Sequence, residues 1–248
     1  MLFRSASRPQ GRVYLVGAGP GAAQYMTLGA QAVIQKAQVL VHDALVDPQV
    51  LTWLPDDCER INVGKRGGQP SRCQDDINQI LINLCQQGKQ VVRLKSGDPF
   101  IFGRTSIEIQ ALKQANCAFE VIPGLSTALV APMLAGIPLT DAALSHGFTV
   151  VTAHNPDLLD WASLARMQTL VLLMGGRHLG DICQQLIGHD KRGETPVAVI
   201  RWASRSQQQI WEGNLLTIER ITKGHPLSPC VIVVGEVVGL RQYLSCDI

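Results

Sequence analysis

Between residues 12 and 123, short apolar runs alternate with longer amphipathic segments, and this alternation constrains the fold more than any other feature of the chain. The runs RVYLVG, QVLVHD, RINVG, QVVRLK and AFEVI are rich in aliphatic residues and read as strands. The segments between them carry helical signals. Thr27 is placed to cap a helix over TLGAQAVIQKA. Asp47 and Pro48 open a short one over DPQVLTWL. SRCQDDINQILINLCQQGK reads as a long amphipathic helix: Ile77, Ile80, Leu81 and Leu84 recur at helical spacing, and Gly88 stops it. Another helix begins near Thr105. Strands alternating with helices give parallel βαβ units with helices on both faces of the sheet. Ligands then bind at the carboxyl ends of the strands. The loops GAGPG, HDALV, VGKRGG, SGDPFIFGR and PGLST all follow strands and are expected to crowd one edge.

The second half changes texture. AGIPLT reads as a linker after a helix. GFTVVTAH, QTLVLLMGG, TPVAVIRWA and PCVIVVGEVV read as strands, and QQQIWEGNL as an extended segment and turn that implies some antiparallel pairing. The fold class expected is therefore α/β, with two domains joined near residues 136–138. A tail over 1–11 precedes an N-terminal α/β domain over 12–136 with a mostly parallel sheet. A C-terminal α/β domain over 137–248 carries a mixed sheet. The 248 residues, 46% of them hydrophobic, can bury cores of that size.

A net charge of +2 argues against a nucleic-acid binder that works by bulk electrostatics. No apolar run is long enough to span a bilayer. The first residues carry Arg4, Arg8 and Arg12 without the apolar stretch of a signal peptide, and read as a frayed polar tail. The seven cysteines, 58, 73, 85, 117, 183, 230 and 246, are widely spaced and form no disulfide framework. Several sit in apolar periodic segments as small core residues, which suits a reducing, cytoplasmic setting. The histidines 42, 146, 154, 178, 189 and 225 show no metal-ligand spacing, so no metal is expected.

GAGPG resembles a dinucleotide loop at first reading, with Ala22 as the last small residue and Asp43 two dozen residues on. Gly17 and Gly19 allow the backbone to approach a ligand closely. Pro20, however, removes one amide donor, and the helix pattern starts late, at Thr27. Both weaken a diphosphate site, which needs free amides at a helix N-terminus. In LKSGDPFIFGR, Ser96 and Gly97 can bring backbone against a ligand, and Phe100, Ile101 and Phe102 offer an apolar wall. Arg104 offers a fork for carboxylates, while Asp98 also reads as an ordinary cap. Asp43 and Lys65 follow successive strands. They form either a surface ion pair or, if buried, a proton-shuttling pair.

VGAGPG, HDALV, VGKR, RLKSGDPFIFGR, IPGLSTA, AGIPLT, LVLLMG and VIVVGEVVGLR occur in the order seen in the uroporphyrinogen-III C-methyltransferases, of the tetrapyrrole methylase superfamily. The chain resembles that family from about residue 12 to 241. The resemblance implies two α/β domains with S-adenosylmethionine in the cleft between them, usually as a homodimer. It implies two successive methyl transfers to carbons of the tetrapyrrole, giving precorrin-2, which leads to siroheme and cobalamin. S-adenosylhomocysteine is the spent cofactor.

Carried onto this sequence, the family pattern places Pro20 in the loop lining the cofactor. Ser96, Gly97 and Asp98 match its GGD loop, with Ser96 replacing a glycine, and Ile101 follows. Ser126 and Thr127 match the small polar pair after the fifth strand. Met174, Ala203 and Cys230 match further cofactor positions. Asp43 matches the family's proposed proton acceptor and Lys65 its proposed proton donor. The substrate bears many carboxylates, so Arg66 and Arg104 suit steering or clamping roles.

Two departures bear on substrate grip. The family usually continues FGR with GGEE; here Ile107 replaces the first glutamate and Glu108 keeps the second. Where the family often has HRD after GIPLT, the arginine position is Ala142. In close relatives both missing side chains lie toward the tetrapyrrole. A methylase of a later corrin intermediate is therefore a near alternative. An NAD-dependent dehydrogenase and a non-catalytic tetrapyrrole-binding protein are more distant ones.

Overall fold

The computed structural model describes residues 11–64 and 73–244. The chain divides between Ser126 and Thr127 into two compact units.

The first unit runs β1 (Arg12–Gly17), α1 (Leu28–Ile34), β2 (Val39–His42), β3 (Glu59–Asn62), α2 (Gln74–Gln86), β4 (Gln90–Lys95), α3 (Thr105–Gln114) and β5 (Ala118–Ile122). Its sheet has the order β3-β2-β4-β1-β5, and every pairing is parallel. Side chains alternate between its two faces. Val16, Leu40, Val92 and Leu94 pack with Ala30 and Ile34 of α1. Val13, Leu15, Val39, Val41 and Val91 pack with Ile77 and Leu81 of α2 and Leu112 of α3. Arg93 and Lys95 share the face of Val91, so a central strand points two cations toward the α2–α3 layer.

The helix ends have identifiable causes. Thr27 Oγ1 accepts the Ala30 amide at 3.1 Å and donates to the Pro123 carbonyl at 3.1 Å, joining the start of α1 to the end of β5. α2 starts at Gln74. Cys73 Sγ accepts the Asp76 amide, and the Asp76 carboxylate accepts the Cys73 amide, a capping box built on a thiol. The segment expected to be a short helix after Asp47 is a 3-10 helix, Pro48–Trp53, with Asp47 accepting the Gln49 amide. Gly11, expected as the end of a frayed tail, is buried; a side chain there would collide with the backbone of Cys85.

The second unit runs α4 (Thr127–Leu134), β6 (Phe148–Thr152), α5 (Trp161–Ala165), β7 (Thr169–Leu173), α6 (Leu179–Gly188), β8 (Pro196–Arg201), β9 (Gln209–Asn214), α7 (Ile218–Ile221), β10 (Cys230–Val234) and α8 (Arg241–Leu244). Its sheet has the order β6-β7-β10-β8-β9; β6 and β7 are parallel and the other pairings antiparallel. Leu170, Leu172, Val197, Val199 and Ile232 pack with α5, α6 and Ile218 of α7. Val171, Ala198, Ile200, Val231 and Val233 pack with Ala128 and Ala131 of α4. That packing puts α4 in the second unit, so the division falls one helix before the boundary expected at residues 136–138. The strand pattern of this half left α6 unanticipated, although Leu179, Ile182, Cys183 and Leu186, its buried face, recur at helical spacing.

Candidate active site

The neighbouring strands β4, β1 and β5 of the first sheet lead into glycines that touch one another. A Cβ on Gly17 would stand 2.6 Å from both Cα and N of Gly124 and 2.7 Å from the Gly97 carbonyl oxygen. A Cβ on Gly124 would strike that same oxygen. Gly19 and Gly97 exchange backbone hydrogen bonds of 3.1 and 2.8 Å, and the Ala18 amide donates to the Lys95 carbonyl at 2.7 Å. Asp98 adds a side-chain tie: Oδ1 accepts the Phe100 amide at 2.9 Å and Oδ2 the Gly124 amide at 3.2 Å. The loops after β1, β4 and β5 therefore form one braced body, with Pro20, Ser96, Gly97 and Asp98 on it. The close approach read from Gly17 is an approach of loop to loop. Asp98 holds that contact together with both oxygens.

Asp43 follows β2 on the same edge. Arg93 Nη2 donates to its Oδ1 at 2.7 Å, and the Ser96 amide to its Oδ2 at 3.3 Å. His42 Nδ1 lies 2.9 Å from the Asp43 carbonyl oxygen. The Asp43 carboxylate stays 31% exposed, while Arg93 is 4% exposed. Behind Arg93, Glu108 of α3 is fully buried. Its Oε1 accepts Arg93 Nε at 3.1 Å and its Oε2 accepts Lys95 Nζ at 2.8 Å. Burial works against the Arg93 charge, but Asp43 and Glu108 outweigh it and raise its pKa further. Lys95 is pushed below the ordinary lysine value by burial and by the Arg93 charge, with Glu108 opposing. Two anions and two cations thus form one compensated cluster, as buried charges require.

Lys65 and Arg66 lie outside the described residues. Gly64, just before them, packs against Ala44, just after Asp43, so closely that no Cβ fits. The loops after β2 and β3 are therefore in contact at that point.

The loop between β4 and α3 is strained and apolar on its outside. Phe100, Ile101 and Phe102 are 62%, 44% and 44% exposed. Phe102 and Arg104 hold left-handed backbone at φ 53° and 56°. The Thr105 hydroxyl donates to the Pro99 carbonyl and closes the loop. Arg104 is exposed, as is Ile107 in the first turn of α3, whereas the adjacent Glu108 is wholly internal. Ser126 ends the first unit and Thr127 opens α4, both half-buried.

In the second unit, antiparallel pairing brings the end of β7 and the end of β8 to the start of β10. Leu173 faces Val231, and Arg201 faces Cys230. Met174, Ala203 and Cys230, far apart in sequence, therefore gather on one edge. Met174 has φ 59° and is 49% exposed, and Ala203 is buried between Trp202 at φ 51° and Ser204 at φ 68°. The Trp202 amide donates to the Pro229 carbonyl, which ties the β8 end to the β10 start. Burial pushes the Cys230 thiol up to about 12 against the pull of Arg201. Among the described residues, five of the seven non-glycine positions with left-handed backbone lie in these strand-end loops. Strain of that kind is held where surrounding structure over-determines it, as at binding sites.

Arg93, Lys95 and the bridging role of Glu108 escaped the sequence pattern, which shows QVVRLK only as a strand. The signal was present: two cations at i and i+2 on one face of an apolar central strand require buried counter-charges.

Fold and loops define an α/β class in which two sheets present braced, strained loops at their strand ends. Residues 12–219 match the model of the tetrapyrrole (corrin/porphyrin) methylases, and the chain belongs to that family. It is 55% identical over 233 residues to the uroporphyrinogen-III C-methyltransferase of Synechococcus elongatus, covering 94% of this chain and 96% of that protein. It is 45% identical to the siroheme synthase of Zymomonas mobilis over 95% of this chain, and spans about half (51%) of that longer protein. The crystal structure of uroporphyrin-III C-methyltransferase from Thermus thermophilus complexed with S-adenosylhomocysteine superposes with a TM-score of 0.81 at 34% identity, covering 93% of this chain and 100% of that one.

Proposed function

We propose that this chain catalyses the S-adenosylmethionine-dependent C-methylation of uroporphyrinogen III, in two successive transfers that give precorrin-2 for siroheme and cobalamin synthesis. The observation that carries the reading is the 55% identity, nearly end to end in both chains, with the Synechococcus elongatus enzyme. The S-adenosylhomocysteine of the Thermus thermophilus neighbour supports the cofactor.

The residues present fit that cofactor better than a dinucleotide. The amides of Ala18, Gly19, Gly97 and Gly124 are spent within and between loops and so do not serve as donors to a pyrophosphate. Small or apolar side chains of the kind that suit an adenosyl group occur in each unit: Ile101, exposed, in the first, and Met174, exposed, with Ala203, buried, and Cys230, half-buried, in the second. Among the described residues no group of three or more histidine, cysteine, aspartate or glutamate side chains could hold a metal ion.

S-adenosylmethionine, when bound, supplies a methyl group already activated by its sulfonium. Pro20, Ser96, Gly97, Asp98, Ile101 and Ser126 of the first unit and Thr127, Met174, Ala203 and Cys230 of the second are the residues proposed to hold it. Their braced loops fix geometry in advance, which is most of what alignment of donor and acceptor demands. Asp43 takes the proton released as the methylated macrocycle rearranges, its carboxylate partly open to solvent and held in place from behind. Lys65 is proposed to return a proton. Arg66 and Arg104 hold substrate carboxylates.

The protein acts as a homodimer in the cytoplasm. The six free cysteines among the described residues suit a reducing compartment, and none of the described helices is long and apolar enough to cross a membrane. A later corrin intermediate is the second reading, favoured by the exposed apolar Ile107 and by Ala142 at the two positions that depart from the family pattern given above.

Calorimetry tests the cofactor: S-adenosylhomocysteine binds and NAD does not, and the reverse would overturn the reading. The joint variant Asp43→Ala with Lys65→Ala is expected to bind S-adenosylhomocysteine normally and to lose turnover. Undiminished turnover in that variant would show that neither residue manages the proton.

A further inference from the structure

We infer that Glu108 is a positioning residue for the Asp43 carboxylate, acting through Arg93; the inference rests on Asp43 being the proton acceptor proposed above. Every nitrogen of the Arg93 guanidinium has an assigned acceptor. Nε donates to Glu108 at 3.1 Å, Nη1 to the Leu94 carbonyl at 3.2 Å and Nη2 to Asp43 at 2.7 Å. A planar fork held at three points has no freedom left to rotate. Glu108 sets the Nε end of that fork, and Nη2 then fixes where Oδ1 of Asp43 stands at the end of β2. The Ser96 amide fixes Oδ2 at 3.3 Å, so the carboxylate plane is defined from two sides.

Glu108 is held as firmly as the group it holds. It is 0% exposed, and Lys95 Nζ grips its second oxygen at 2.8 Å. Gln74 Nε2 of α2 lies 3.5 Å from Oε1 and donates to Asn78 at 3.2 Å. The chain Lys95–Glu108–Arg93–Asp43 thus runs from the sheet interior to a partly exposed carboxylate. Only its last member reaches the edge where the chemistry is proposed, which makes Glu108 an internal anchor and not a substrate ligand. This gives a separate meaning to the two glutamates of the family's GGEE pattern. The first position, Ile107 here, is exposed, whereas the second is buried and tied by ion pairs to Arg93 and Lys95 of β4.

The test replaces the inner pair together, Lys95→Leu with Glu108→Leu. Removing a buried anion and cation at once leaves the Arg93–Asp43 pair neutral, and such exchanges are commonly tolerated by stability. A displacement of the acceptor by about an ångström costs on the order of 100-fold in rate, so kcat is expected to fall by about that factor while KM and the S-adenosylhomocysteine Kd stay within about twofold. Independently of turnover, the Arg93 Nε–H resonance of arginine-labelled protein, protected by Glu108 in the wild type, is expected to shift and exchange faster. Glu108→Gln, which keeps the shape and loses the charge, should move both readouts in the same direction, and serves if the paired variant does not fold. Asp43→Asn is the comparator. An inactive Asp43→Asn beside a Glu108 variant with wild-type kcat and an unmoved Arg93 signal overturns the inference alone. An Asp43→Asn enzyme of full turnover overturns the acid–base reading itself, and the inference with it.

Discussion

Gly17→Ala probes the brace on which the proposed cofactor site depends. Its new Cβ would stand 2.6 Å from Cα and N of Gly124 and 2.7 Å from the Gly97 carbonyl oxygen. All three are backbone atoms, so no side chain can swing aside. Carbon–carbon contacts are comfortable at about 3.5–4.0 Å, and the loops after β1, β4 and β5 must therefore part by roughly an ångström. Overpacking of that kind costs about 1–3 kcal/mol. Weakening the paired Gly19–Gly97 hydrogen bonds adds about 1 kcal/mol for each one lost. A loss of about 3 kcal/mol is expected, a large share of a typical stability of about 5–15 kcal/mol. Urea denaturation reads the stability, and calorimetry with S-adenosylhomocysteine reads the site, where affinity should fall about tenfold or more. Gly188→Ala is the control: it lies at the end of α6 with nothing within 4 Å of its Cβ, and should be neutral or gain up to about 1 kcal/mol. If Gly17→Ala unfolds with Gly188→Ala and binds as the wild type does, the three loops are not braced as described.

The raised thiols make a pH prediction. Cys85 is pushed up to about 11 and Cys183 and Cys230 to about 12 by burial, from an ordinary 9.0. The folded chain therefore keeps these protons after the unfolded chain has lost them, so stability should fall as pH climbs from 9 toward 12, measurable by denaturant midpoints across that range. Near neutral pH, alkylation with mass-spectrometric mapping should label the exposed Cys73 and spare the buried Cys85 and Cys183 until denaturant is added; early labelling of these two would contradict their placement. Thr27→Ala should cost about 1 kcal/mol, because it removes both the cap of α1 and the tie to Pro123. A thermal unfolding curve that does not move would show that neither bond matters.

Strands were the most legible part of the sequence. RVYLVG, QVVRLK and AFEVI mark β1, β4 and β5 residue for residue, because short aliphatic runs flanked by helical and turn signals leave few other places for such segments. Thr27 and Asp47 were readable as caps, since a side-chain oxygen beside a run of free amides has one obvious use. Long-range contact was harder to see. Nothing in the spacing of Gly17, Gly97 and Gly124 says that they touch, because strand order decides which loop ends meet. Lys95 and Arg93 read as ordinary strand residues until Glu108 is placed beneath them by α3. Met174, Ala203 and Cys230 could be grouped only through a resemblance; the register of β10 with β7 and β8 supplies the physical reason that they share an edge. Gly11 went unrecognised as core because its close neighbour, Cys85, lies far along the chain.

The central claim is that this chain methylates uroporphyrinogen III twice. The most direct measurement incubates the purified protein with S-adenosylmethionine and freshly reduced uroporphyrinogen III, then counts S-adenosylhomocysteine formed against tetrapyrrole consumed and weighs the product. Two equivalents of S-adenosylhomocysteine and a product heavier by two methyl groups are predicted. A protein that binds S-adenosylhomocysteine yet transfers no methyl group to this substrate, or transfers one only to a tetrapyrrole already methylated, would contradict the account.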